Sequence, residues 1–196
     1  MHIFTLEHSK TAHRADLALY GIVEAALATS LVADAPHEMR AELAALAVAG
    51  LASWTAMEYL MHRFLLHGVQ PFKSWHEEHH QRPKAIIFTP TTLSLAWQFV
   101  LIFIPALLAG GPWRASALTF GVLAGYLSYT ITHHAVHHWR ADNHWLKQRK
   151  RWHALHHHRT DQPGCYGVTT AFWDHVFGSA RRAAPAKADG RSRDVY

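Results

Sequence analysis

Two stretches far apart in the chain, WHEEHH at 75–80 and HALHHH at 153–158, carry the same H-x-x-H-H spacing. On a helix, residues three and four apart share a face, so His76, His79 and His80 can point one way, as can His153, His156 and His157. Further histidines lie in EYLMHRFLLH (His62, His67) and in THHAVHH (His133, His134, His137, His138). His133 and His137 share one helical face; His134 and His138 share another about 100° round. Neutral imidazole is a borderline ligand that suits iron, zinc, copper and nickel. Roughly ten converging imidazoles exceed what one ion accommodates, and two ions with several ligands each account for them better. Structural zinc sites usually include thiolate, and the chain has one cysteine, Cys165. A thiolate-free, nearly all-nitrogen pair suits redox iron, which can activate dioxygen against an unreactive C–H bond.

The bland reading of a run such as 156–158 is a solvated, loosely binding tract of a metal transporter or storage protein. Such a tract would not repeat a helical spacing. His2, His8, His13, His37, His144 and His175 match no spacing and read as surface or packing residues. His158 reads as a neighbour of the site. His134 and His138 stay open between ligand and partner to a ligand.

What elements position these residues? The chain has 196 residues, 19 of them histidine, and is 49% apolar, yet its mean hydropathy is close to zero. Apolar and His/Arg-rich stretches alternate. Residues 91–109 and 115–132 carry no charge, 41–57 carry only Glu42, and 17–33 carry Glu24 at the centre. About 20 apolar residues cross a hydrocarbon core as helix, so four spans in two hairpins are expected, turning at 34–40 and at GGPWR (110–114). Glu24 belongs either to a polar bundle interior or to an amphipathic surface helix. A soluble bundle would have to bury uncharged runs of this length inside a small domain. The helix of 41–66 is roughly 39 Å long and outruns the hydrocarbon, carrying His62 and His67 out with it.

The net charge of +5 is compatible with nucleic acid, anionic lipid or membrane topology. Its placement favours the last. All but two of the 19 Lys and Arg, and every histidine but His37, fall on the side opposite the two turns. The positive-inside rule makes that side cytoplasmic, and no nucleic-acid partner is expected. The lone cysteine excludes a disulfide framework within the chain and a Cys-only metal site; neither G-x-G-x-x-G nor a P-loop occurs. The first 16 residues lack the apolar core of a signal peptide. From about 183 to 196 the sequence is polar, and a disordered tail is expected after a membrane domain of residues 1–182.

Taken in order, EYLMHRFLLH (58–67), WHEEHH (75–80), THHAVHH (132–138), HALHHH (153–158) and YGVTTAFWDHVFGS (166–179) resemble the fatty acid hydroxylase/sterol desaturase superfamily of membrane di-metal oxygenases. The resemblance implies an all-α membrane base under a small cytosolic helical cap, with two metals at their junction. It implies His62, His67, His76, His79, His80, His133, His137, His153, His156 and His157 as ligands of two iron ions (zinc being possible in the purified protein), with no catalytic residue beyond the ligands. Trp173, Asp174 and Phe177 then look like cap residues near the site; Asp174 either bonds a ligating imidazole or caps a helix. Where many relatives carry an Asp before the third His box, this chain reads YLSYTITHH, which leaves the support of His133 unassigned. No haem motif of a fused cytochrome b5 occurs, so a separate electron donor, cytochrome b5-like or ferredoxin, is expected. The basic run Lys147, Arg149, Lys150 and Arg151 is a docking surface or a positive-inside flank. The expected activity is hydroxylation of a fatty-acyl lipid with O2 and two electrons, its tail lying among 92–108 and the helix end at Phe64–Leu66. A carotenoid ring hydroxylase or sterol-type desaturase is the rival within the superfamily; GVTTAFWDHVFG favours the lipid hydroxylase.

Overall fold

The computed structural model describes residues 7–89, 91–158 and 164–180. Among the described residues the chain is helical, with one isolated bridge between Glu7 and Ile87. Helix α1 (Lys10–Ala33) starts where the Ser9 hydroxyl accepts from the Ala12 N–H at 3.1 Å, an N-cap. Its buried residues, His13, Asp16, Tyr20 and Glu24, recur every three or four positions, while Leu19, Ile22 and Val32 face outward. Polar inside and apolar outside is the reverse of a soluble surface helix and suits lipid. Glu24 therefore faces the bundle interior.

Helix α2 (Arg40–Leu60) runs directly into a π-helical turn at Met61–Leu66, and α3 (Phe72–Gln81) follows. Helix α4 (Thr91–Gln98) continues through a second π turn (Phe99–Phe103) into α5 (Ile104–His138). Three helical runs, Lys10–Ala33, His37–Leu66 and Thr91–His138, are long and apolar enough to cross a membrane. The third, of 48 residues, would be about 72 Å long if straight, over twice a hydrocarbon core. It doubles back instead. Gly111 leaves helical geometry at φ 77°, ψ 177°, a region essentially reserved for glycine, and Pro112 opens the second arm, where its missing N–H costs little. The Tyr20 and Ser94 hydroxyls lie 2.5 Å apart. Leu95, Trp97 and Ile102 of the first arm pack on the same buried cluster as Val122, Leu123 and Tyr126 of the second. The expected five-residue turn is thus a one-residue break in an otherwise helical run.

The most extensive helix pairing is α2 against α5. It depends on small residues: a Cβ at Gly121 would stand 2.0 Å from the Ala47 carbonyl oxygen, and one at Gly125 2.4 Å from Trp54 Cβ. Gly121 and Gly125 therefore serve packing within the chain. At the end of the bundle away from the histidines, the Arg114 guanidinium donates to both Glu42 carboxylate oxygens. From Glu42 to His62 along α2, and from Arg114 to His133 along α5, is about 30 Å each. Both helices thus deliver their histidines to one level, a hydrocarbon thickness away. Over that level lie α3, α6 (His144–His158) and the loop leading to α7 (Phe172–Val176). The boundary expected at 182 and the tail beyond it lie outside the described residues.

Candidate metal centre

Residues five apart on an α-helix point about 140° apart, whereas an i→i+5 turn brings them to one side. The π turn at Met61–Leu66 therefore aims His62 and His67 together, their ring centroids 5.4 Å apart. Helix α3 adds His76 and His80, four apart and 4.5 Å between centroids, and α6 adds His156. These five each bring a ring nitrogen within 4.8 Å of the others. A second group meets the same criterion: His79 from α3, His133 and His137 from α5, and His153 from α6. Nine of the ten histidines singled out by sequence thus fall into two groups. The tenth, His157, lies between them, its Nε2 3.0 Å from His153 Nε2 and its ring stacked on His80 at 4.2 Å.

One expectation is corrected by this arrangement. The H-x-x-H-H triplets do not each aim at one point. Positions i+3 and i+4 flank residue i at about −60° and +40°, and that spread lets each triplet serve both groups. On α3, His76 and His80 join the first group and His79 the second; on α6, His156 joins the first and His153 the second. The repeated motif therefore bridges the two groups. His134 lies outside both, stacked at 4.4 Å on His138 and at 4.4 Å on His13. His13, read as an ordinary residue, is buried in that side cluster.

The contacts within and beside each group favour a cation over mutual hydrogen bonding. His76 Nε2 is met by His62 Nε2 and His80 Nε2, each at 2.9 Å. His153 Nε2 is met by His137 Nε2 at 2.8 Å and His157 Nε2 at 3.0 Å. A neutral ring nitrogen carries either one proton or one lone pair, so three such atoms cannot all satisfy one another. Ligands at right angles on a shell of about 2.1 Å radius stand about 3.0 Å apart, which matches these separations. His79 is buried with neither ring nitrogen hydrogen-bonded, a costly arrangement unless something binds there. Both groups consist of imidazole alone, with no Asp, Glu or Cys in either. Burial holds His67 and His79 down to about 4 and His76, His153 and His156 well below their ordinary value, the neighbouring histidines adding to the effect. The rings are neutral at pH 7, the form that ligates.

The loop at 164–169 fixes two of the rings. His62 Nδ1–H donates to the Tyr166 carbonyl at 2.5 Å and His156 Nδ1–H to the Gly164 carbonyl at 2.9 Å, leaving each Nε2 lone pair for the group's centre. Cys165 between them has φ 56°, a left-handed conformation that costs a β-carbon-bearing residue about 1–2 kcal/mol. Two buried carboxylates hold the loop. Asp174, fully buried, accepts from the Tyr166 N–H (2.8 Å), the Gly167 N–H (2.8 Å), the Ser179 hydroxyl (2.7 Å) and Trp152 Nε1 (3.2 Å). Glu58 on α2 accepts from the Val168 N–H (2.6 Å), the Thr169 N–H (3.0 Å) and the Thr169 hydroxyl. Asp174 thus bonds the loop that bonds the imidazoles, and touches no imidazole itself. Sequence reasoning assigns no role to Glu58; its one signal was a charge at the end of an otherwise apolar span. The open question of His133 has an answer in Tyr129, stacked on it at 5.7 Å and 9°.

Below the two groups, a cavity of about 650 Å³ runs down among the apolar helices. Leu93, Trp97 and Leu101 line one side, Trp54 and Tyr126 another, and the upper wall includes His62 and His76 of the first group with His79 and His133 of the second. Leu65 and Leu66 line it as the sequence predicted; Phe64 does not and is exposed.

Residues 47–179 match the profile of the fatty acid hydroxylase family. The chain is 35% identical over 141 residues to the dihydroceramide fatty acyl 2-hydroxylase FAH2 of Arabidopsis thaliana, covering 66% of this chain and 58% of that protein. It is 33% identical over 149 residues to the ceramide very long chain fatty acid hydroxylase scs7 of Schizosaccharomyces pombe, covering 67% and 41%. It is 32% identical over 144 residues to the fatty acid 2-hydroxylase of Rattus norvegicus, covering 66% and 38%. The match thus spans between 38% and 58% of these relatives' own length. Among solved structures, full-length scs7p, with only its hydroxylase domain visible, superposes with a TM-score of 0.69 at 26% identity, covering 83% of this chain and 64% of that one.

Proposed function

Because the chain belongs to the fatty acid hydroxylase family, we propose that it hydroxylates an acyl chain of a membrane lipid, at the 2-position named for its plant and mammalian relatives. The observation that carries this reading is the cavity, lined mainly by apolar side chains and ending against imidazoles of both groups. An acyl chain offers few handles for hydrogen bonding, so the reacting carbon is selected by position. His62, His67, His76, His80 and His156 would hold one ion, and His79, His133, His137 and His153, with His157 beside them, the other. An iron pair, when bound, supplies the redox chemistry; zinc fits the same nitrogens but has none. In the balanced reaction R–H, O2, two electrons and two protons give R–OH and water. One C–H and the O–O bond break, a C–O bond forms, the lipid is oxidised and dioxygen reduced.

The chain's own residues bind, orient and exclude water. Trp54, Trp97 and Tyr126 wall the tail, the π turn and the two triplets set the nitrogens, and Glu58 and Asp174 hold the loop behind them. The proposed unit, residues 1–182, crosses the membrane four times, with the Glu42–Arg114 end outside and the histidine face in the cytoplasm. Electrons arrive from a separate protein, cytochrome b5-like or ferredoxin, at the basic stretch of α6 around Lys147 and Arg151. Lipid profiles of cells with and without the chain test the activity. A hydroxy fatty acid that appears with the chain and vanishes in His79→Ala supports it; a hydroxylated carotenoid ring, or metal flux without any lipid product, overturns it.

A further inference from the structure

The short helix α7 sits lower than the cap in which the family resemblance places its residues. Trp173 Nε1 donates to Thr55 Oγ1 at 3.0 Å, and the Phe177 ring stacks on Tyr59 at 5.3 Å. Both partners belong to α2. Thr55 precedes His62 by two helical turns and lies about 10 Å on the membrane side of it. The Glu42–Arg114 pair lies at the far end of the same bundle, so Thr55 falls inside a hydrocarbon core of about 30 Å measured from that pair. Beside it α7 and the residue that follows it turn outward three large apolar side chains, Phe172, Val176 and Phe177, exposed to 58%, 54% and 51%. On the same turn Asp174 is fully buried, facing the loop behind His62 and His156.

We propose that residues 172–177 form a wedge embedded in the acyl region of the histidine-side leaflet, tying the bilayer to the loop that orients His62 and His156. The inference rests on the reading of α2 as a membrane span. The wedge is far too short to register as a span itself. Its contacts with α2 set its depth, its outward Phe172, Val176 and Phe177 suit the apolar face of a membrane-embedded segment, and the exposed His175 packs toward Trp152 of α6. A second copy of the chain could cover the same apolar face, but α2 carries lipid-facing residues at the same level, so the face continues a surface already in contact with acyl chains.

The unmodified chain, reconstituted in phosphatidylcholine nanodiscs with a diazirine midway along one acyl chain, is photolysed and its adducts are mapped by mass spectrometry. Adducts are expected on 172–177 and around Leu51 of α2, at least about tenfold above those on 144–151 of α6. Adducts at Leu51 with none on 172–177 overturn the wedge and leave the span standing. Adducts at neither site overturn the membrane reading of α2 itself. A diazirine-bearing analogue in place of Phe172 that links to a second chain, instead of to lipid, also overturns the proposal.

Discussion

Asp174→Asn separates positioning from mere packing. The carboxylate accepts four hydrogen bonds at a fully buried position. Asparagine keeps one accepting oxygen and turns an NH2 toward donors that already point inward. About two bonds to a charged acceptor are lost, at about 1.5–3 kcal/mol each. Relief from burying a charge offsets part of this, which leaves a net loss of about 3 kcal/mol. The strain reaches the metal centre through the Tyr166 and Gly164 carbonyls, which hold His62 and His156. Both rings belong to the first group; among the described residues neither ring nitrogen of His79 nor Nδ1 of His153 has a hydrogen-bond partner in that loop. Loss of such an outer partner typically costs 10–100-fold in metal affinity, about 1.4–2.8 kcal/mol. The variant should therefore release one ion to a chelator about 10–100-fold faster than the wild type, while the other leaves at the wild-type rate. Metal release followed over time, with thermal unfolding on the same samples, checks this. Parallel release of both ions would mean general loosening, and unchanged release would mean that the loop does not orient the rings; either refutes the reasoning.

Single-ligand variants should divide the centre: His67→Ala and His153→Ala are each expected to retain about one ion per chain by metal analysis, from opposite groups. Gly121→Ala forces a methyl against the Ala47 carbonyl and should cost about 1–3 kcal/mol, lowering Tm in detergent by about 3–9 °C. Gly21→Ala, with open space around it, should leave Tm unchanged or raised. The metal-free chain should be acid-labile. Burial holds His67 and His79 at about 4, below the unfolded value of about 6.5. Their contribution is therefore intact above pH 6.5 and is lost as the pH falls from 6.5 toward 4, which denaturant titrations at a series of pH values would register.

Most of the architecture could be read from the chain because lipid imposes a one-dimensional rule. Uncharged runs of sufficient length mark the long helices, and the Gly-Gly-Pro interruption marks where the third doubles back. The histidine triplets were legible for the same reason, since spacing maps directly onto a helix face. What spacing does not show is how wide that face is. His79 and His80 are adjacent in sequence, yet they serve different groups because neighbouring helical positions diverge by about 100°. Nor does spacing announce the π turn that brings His62 and His67 together; two candidate ligands five residues apart were the available clue. Glu58 and Asp174 act through backbone carbonyls of a loop more than a hundred residues from α2, and no local pattern connects Glu58 to that loop. The depth of α7 was equally hidden, because it is set by contacts with α2 and by nothing in its own five residues.

The central claim is that two all-imidazole groups each hold an ion at the head of an acyl-sized cavity. Metal analysis of the chain purified without oxygen and dialysed against a chelator tests it most directly. The account predicts close to two ions per chain surviving dialysis. One ion or fewer, or a variable number that exchanges freely, would contradict it.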